Sequence, residues 1–145
     1  MTMTKLSPLF LRLALGVSFL SAVADRFGFW GLPGSPSVSW GNWQNFLSYS
    51  NAVNSFVPHQ LAEVLAVAAT GLEILLGWLL ILGYRVRLAA LVSGILLLSF
   101  ALAMTISFGF KPSLYYSVWT GAAAAFLLST ATSNMYSIDQ IISKK

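Results

Sequence analysis

The chain has 145 residues, 57% of them hydrophobic and 8% charged, with a net charge of +4 and a mean hydropathy of +0.78. Soluble domains carry about 25% charged residues, so the composition excludes an ordinary soluble globule and indicates one integral membrane domain over residues 1–145. The eight Lys and Arg are scattered singly, leaving no basic run to follow nucleic-acid phosphates, and without cysteine the chain has no thiol chemistry and no Cys-ligated metal centre.

The first apolar stretch of bilayer length is Pro8–Phe27. About 20 residues at 1.5 Å per residue cross about 30 Å of hydrocarbon as a helix. This stretch carries Arg12, and a charge inside hydrocarbon costs roughly 3 kcal/mol on insertion scales, so a partner or a function is expected for it. A rival reading takes Lys5 and Arg12 as a charged leader, Leu13–Leu20 as a short apolar region and Ala22-Val23-Ala24 as a cleavage site, with the mature chain starting at Asp25.

The connection 28–59 follows. Trp30-Gly31-Leu32-Pro33-Gly34-Ser35-Pro36 is rich in turn formers. Beyond it Trp40, Trp43, Phe46, Leu47, Val53 and Val57 recur at near-helical spacing among Asn, Gln and Ser, which predicts an interfacial amphipathic helix or lid. It has no basic residue to recognise anionic lipid.

Three further spans are predicted over 60–82, 88–110 and 115–132. Every backbone N–H and C=O inside a bilayer needs an internal partner, so helices are expected, and no alternating barrel strands are visible. The fold class is therefore all-α, an integral membrane four-helix bundle with an interfacial amphipathic segment between helices one and two. The short Tyr84–Arg87 connection forces spans two and three into an antiparallel hairpin, and Phe110–Ser113, with Pro112 as breaker, does the same for three and four. Lys5, Arg12, Arg85, Arg87, Lys144 and Lys145 then share one side, against Arg26 and Lys111 on the other, which places both termini in the cytoplasm by the positive-inside rule. Small residues recur every fourth position at Ala14, Ser18 and Ala22, at Ala62, Ala66 and Thr70, at Ala90 and Gly94, and at Gly121 and Ala125. Such rows let backbones approach where lipid removes the hydrophobic drive for association.

Two groups of polar residues could carry chemistry. Glu73, near the middle of span two, shares the helical face of Ala66, Ala69, Thr70 and Gly77, so it points into the bundle. Arg12 is its expected partner, and the pair either exchanges protons or only pins two helices. At the outer rim Asp25 and Arg26 end span one while His59 and Glu63 begin span two, beneath the aromatic connection. Arg12 and Arg26 lie within about 40° of one face of their helix. The rim group is either a binding mouth or an ordinary wet boundary. His59 is the only histidine and no cluster has metal spacing, so no metal is expected. Trp30, Trp40, Trp43, Tyr49, Tyr115, Tyr116 and Trp119 form an interface belt or, in a sharper reading, wall a pocket for a flat lipophilic ring such as a quinone.

In order along the chain stand Arg12-Leu13-x-Leu15-Gly16-x-x-Phe19-Leu20, Arg26-Phe27, Trp43-x-x-Phe46, Glu73-x-x-x-Gly77, Gly83 and Arg87-x-Ala89-Ala90. In this order and spacing, over about residues 8–133, the chain resembles the DoxX/DoxD family of small four-helix membrane proteins. The resemblance implies a bundle similar in layout to quinone-linked disulfide-forming membrane proteins, in a bacterial-type inner (plasma) membrane. It further implies an accessory or membrane-anchoring subunit of a quinone-linked oxidoreductase, in contact with the lipid bilayer and with a protein subunit of a redox complex or another copy of itself. On that reading Glu73 and Arg12 are the catalytic candidates, and Trp40, Trp43, Arg26, His59 and Glu63 the ligand-binding ones, with quinone the possible cofactor and none intrinsic. The alternative is a non-enzymatic membrane scaffold or lipophilic-ligand-binding module.

Overall fold

The computed structural model describes residues 3–131 and 135–143. All regular structure among them is helical: α1 (Met3–Arg26), α2 (Trp43–Val53), α3 (His59–Leu82), α4 (Val86–Phe108), α5 (Phe110–Tyr115), α6 (Val118–Ser129) and α7 (Ile138–Ile142). Three of these, α1 from Leu6, α3 and α4, are long and apolar enough to cross a membrane. Their outer faces carry Val17, Val64, Val67, Leu75, Trp78, Leu88 and Ile95, all exposed, where lipid would solvate them.

Helix α1 packs along α3, α3 along α4, α4 along α6, and α6 returns to α1. Leu15 and Phe19 of α1, Leu76 and Leu80 of α3, Ala89, Ala90 and Leu96 of α4, and Ala125 and Leu128 of α6 fill the space between them. The predicted small-residue row of α3 lies on its buried face: Ala62, Ala66, Thr70, Glu73 and Gly77 are all buried. That of α1 does not. Ala14 and Ser18 are exposed, and α1 instead meets α3 at a different small residue, Gly16. A Cβ on Gly16 would stand 2.9 Å from the Gly77 carbonyl oxygen, and one on Gly77 would stand 3.2 Å from that of Gly16. Two bare backbones therefore touch, and the contact fixes the antiparallel register of the pair.

The predicted fourth span, 115–132, is not one continuous helix. Its apolar core forms α6, twelve residues and about 18 Å long, preceded by the short α5. Pro112 does not break the chain, because it occupies the third position of α5, within the first turn, where a missing N–H costs nothing. Helix α4 ends instead at Gly109, at φ 85°, and a second break falls at Tyr116–Ser117, with Ser117 at φ 56°. Thr132, the expected end of the span, lies outside the described residues, as do Lys144 and Lys145.

The α3–α4 hairpin closes on Gly83, a left-handed C-cap at φ 71° whose N–H reaches the Leu79 carbonyl at 2.9 Å. Helix α4 has no side-chain cap of its own. Asp139 of α7 supplies one, accepting from the N–H groups of Arg85 at 2.7 Å and Val86 at 2.9 Å, while its own N–H donates to the Gly83 carbonyl at 3.0 Å. A carboxylate at a helix N-terminus satisfies orphan donors and complements the dipole.

Candidate functional site

Arg26 closes the last turn of α1 and its side chain is almost fully buried, 4% exposed. The guanidinium forms an ion pair with Glu73 and donates to Thr70 Oγ1 at 2.7 Å. The Thr70 hydroxyl passes its own proton to the Ala66 carbonyl at 2.8 Å, so its lone pairs face the arginine. Two rings roof the cation: Phe46 of α2 has its centroid 4.0 Å from the guanidinium carbon, and Trp40 has its centroid at 5.5 Å. An arginine this dry needs all of these partners, since desolvation alone would exceed any one of them. Arg26 Nε and Glu73 Oε2 nonetheless make no hydrogen bond of regular geometry.

Asp25, the neighbour of Arg26, holds the roof in place. Its Oδ2 accepts from Ser39 N–H at 2.8 Å and its Oδ1 from the N–H groups of Trp40 at 3.4 Å and Gly41 at 3.1 Å. The chain after α1 is thereby folded back so that Trp40 covers Arg26. Trp40 meets Phe46 edge-on at 5.3 Å and Tyr49 at 5.8 Å, and Tyr49 reaches Phe108 of α4 at 6.1 Å. Trp43 stacks on Phe27 at 5.7 Å and contacts Phe46 at 5.3 Å. Trp40, Trp43, Phe46 and Tyr49 of the connection therefore form a continuous cover over the end of α1.

Beside Trp40 an open groove of about 560 Å³ lies between α1 and the connection. Val17, Ser18, Ser21 and Ala22 of α1 form its floor, Trp30 and Trp40 stand beside it, and Asp25, Ser37 and Ser39 complete it. Ser18 and Ala22, two of the three small residues expected to pack α1 against another helix of the bundle, thus line this groove instead. Trp30 is fixed by donation of its indole N–H to the Ser21 carbonyl at 3.1 Å.

The expected partnership of Arg12 with Glu73 is not formed. Arg12 is 2% exposed and lies beside Gly83. There it donates to the carbonyls of Tyr136 at 2.8 Å and Met135 at 3.3 Å. Arg26 takes the place beside Glu73 because the Gly16–Gly77 contact sets Arg12 opposite the end of α3 and Arg26 opposite its middle. His59 and Glu63 stand apart from the pair as well. They face one another at 3.6 Å at the start of α3, His59 exposed and Glu63 half-exposed, about 15 Å (Glu63) and about 21 Å (His59) along the helix from Glu73. His59 Nε2 also lies 2.9 Å from the Asn51 side-chain nitrogen. Of the sequence-stated candidates the structure brings together Glu73, Arg26 and Trp40, with Trp43 one ring further out. Thr70 and Phe46 complete the arrangement; the sequence marked Thr70 by its place on the small-residue face of Glu73 and Phe46 by the apolar spacing of the connection, neither of them as a site residue. Among the described residues no group of three or more His, Asp or Glu is placed to hold a metal ion.

The DoxX family model matches residues 7–108, which takes in α1 from its fifth residue, all of α2, α3 and α4, and the contacts of Arg26, whereas the Met135 and Tyr136 carbonyls that Arg12 reaches lie beyond it. No curated protein and no solved structure matches the chain.

Proposed function

The chain belongs to the DoxX family, and on that premise we propose that it is an accessory or membrane-anchoring subunit of a quinone-linked oxidoreductase that holds a quinone head group in the groove beside Trp40. The observation that carries the proposal is the groove itself. Its volume falls within the roughly 300–1,000 Å³ of small-molecule sites. Two indoles offer flat apolar surface to a ring, and Ser18, Ser21, Ser37 and Ser39 offer hydroxyl groups to its oxygens. It opens along an apolar helix, where a lipophilic tail can remain in the bilayer.

On this reading electrons reach the ligand from a partner subunit; the chain, which has no cysteine, does not relay them as thiols. Arg26 and Glu73 sit behind Trp40 and keep this wall of the groove rigid. The protein lies in a bacterial-type inner membrane with both termini in the cytoplasm; Arg12, Arg85 and Arg87 at one end of the bundle support that orientation.

A second reading, a non-enzymatic scaffold, is favoured by the enclosure of Arg26 and Glu73, each at most 4% exposed, under Trp40 and Phe46. Purification in mild detergent followed by solvent extraction and quinone analysis separates the two. The proposal expects near-stoichiometric quinone in the native protein and its loss in Ser21→Leu, which fills the groove floor. Native protein free of quinone, with unchanged co-purifying proteins, would favour the scaffold.

A further inference from the structure

We infer that the groove prefers the reduced, hydroxyl-bearing form of its ring ligand, a quinol, over the quinone, and that Asp25 is the residue that sets this preference. The inference rests on the quinone reading and names the redox form that the site takes.

Asp25 is 6% exposed and lines the groove. All of its hydrogen bonds are received: one from Ser39 to Oδ2, two from Trp40 and Gly41 to Oδ1. A carboxylate has about four acceptor sites, so these three leave one, on Oδ2. A quinone brings two carbonyl oxygens, which can only accept. Set against Asp25 they face another acceptor, and their partners must be the serine hydroxyls. A quinol brings two O–H donors, one for the free Oδ2 site. A hydrogen bond to a charged acceptor is roughly twice as strong as one between neutral groups. The serines do not reverse the balance, since a hydroxyl serves either form, donating to the quinone and donating to or accepting from the quinol. The difference between the two redox forms therefore falls on the one group that can only accept.

The geometry also fixes Asp25 where it stands. Its three backbone donors come from one turn of the connection, and the same turn carries Trp40, whose ring is held over Arg26. The carboxylate cannot move from its place beside the groove without releasing those three residues, so the acceptor is preorganised and the protein's share of the ordering cost on binding is small.

The test is equilibrium dialysis of the full chain in detergent micelles, under anaerobic conditions, against a short-tailed benzoquinone and its chemically reduced quinol. The quinol should be retained about tenfold more tightly, as expected for one charge-assisted hydrogen bond over a neutral one. A tenfold preference raises the two-electron midpoint potential of the bound ligand by about 30 mV, which spectroelectrochemical titration reads independently. Asp25→Asn, whose amide adds a donor beside the ring oxygens, should bring the two affinities together. The wild-type ratio stands even where that variant folds poorly. Equal or tighter binding of the quinone by the wild-type chain overturns this inference and leaves the quinone reading intact. Retention of neither form overturns both.

Discussion

The ion pair of Arg26 with Glu73 makes a quantitative prediction, because both groups are buried and, among the described residues, neither forms an ion pair with another side chain. Glu73→Leu leaves a guanidinium, 4% exposed, with the Thr70 hydroxyl and two ring faces as its remaining partners. Breaking a buried pair from one side costs about 3–5 kcal/mol. Arg26→Leu belongs at the upper end of that range. It strands Glu73 and also removes the bond to Thr70 and the stacking on Phe46, the latter worth about 2 kcal/mol when desolvated. The double variant Arg26→Leu/Glu73→Leu removes both charges and leaves apolar side chains in an apolar site, so it should lose much less than the two single losses combined. A coupling of at least about 2 kcal/mol is expected, roughly a 30-fold difference in the unfolding equilibrium. Unfolding in mixed micelles by titration with a denaturing detergent, followed by circular dichroism, measures all four corners of the cycle. Additivity within about 0.5 kcal/mol would refute the pairing. So would a stronger coupling in the matching cycle of Arg12 with Glu73, which the register of α1 on α3 predicts to be near zero.

Three further substitutions test the cap on α4 and the glycines of α1 and α3. Asp139→Asn weakens the cap on α4, so a loss of about 1 kcal/mol should accompany faster hydrogen exchange at the Arg85 and Val86 amides; unchanged exchange would show that the cap does not form. Gly16→Ala drives a methyl to 2.8 Å from Ile81 Cγ1 and 2.9 Å from the Gly77 carbonyl, and should cost about 1–3 kcal/mol. Gly71→Ala, with nothing within 4 Å of its added carbon, should stabilise α3 by about 0.5–1 kcal/mol in the same titration.

The spans of α1, α3 and α4 were legible because bilayer length and apolar composition are strong, local signals, and the DoxX match covers the same stretch. The inward turn of Glu73 was legible too, since the period of one helix places it with Ala66, Thr70 and Gly77, and all four are buried. The fourth span was not. Apolar residues from Tyr115 onward read as one helix, yet whether the backbone stays helical through Tyr116 and Ser117 is settled by neighbours. Ser113 Oγ receives the Trp119 indole N–H at 3.0 Å and lies 3.0 Å from Thr105 Oγ1, contacts that tie α5 to α6 and to α4 across the break. None of these pairings has a sequence period.

Which arginine meets Glu73 shows most clearly what one helix cannot reveal. Arg12 and Arg26 stand fourteen residues apart on nearly the same face of α1, so periodicity treats them alike. Only the axial register of α1 against α3 separates them, and register belongs to two helices. It is set where Gly16 and Gly77 let the backbones touch. With those two residues opposed in an antiparallel pair, Arg12 falls opposite Ile81, next to Gly83, and Arg26 opposite Val67, within reach of Thr70 and Glu73. Both glycines stood in the motifs that carried the family resemblance, Gly16 after Leu15 and Gly77 four residues beyond Glu73. Read as packing contacts, they would have assigned each arginine to its end of the bundle. Arg12 then serves the carbonyls of Met135 and Tyr136, and Arg26 the carboxylate of Glu73 beneath the aromatic cover. The two membrane charges of α1 thus answer to different partners, and substitutions of Arg12 should act on the α3–α4 turn while those of Arg26 act on the groove.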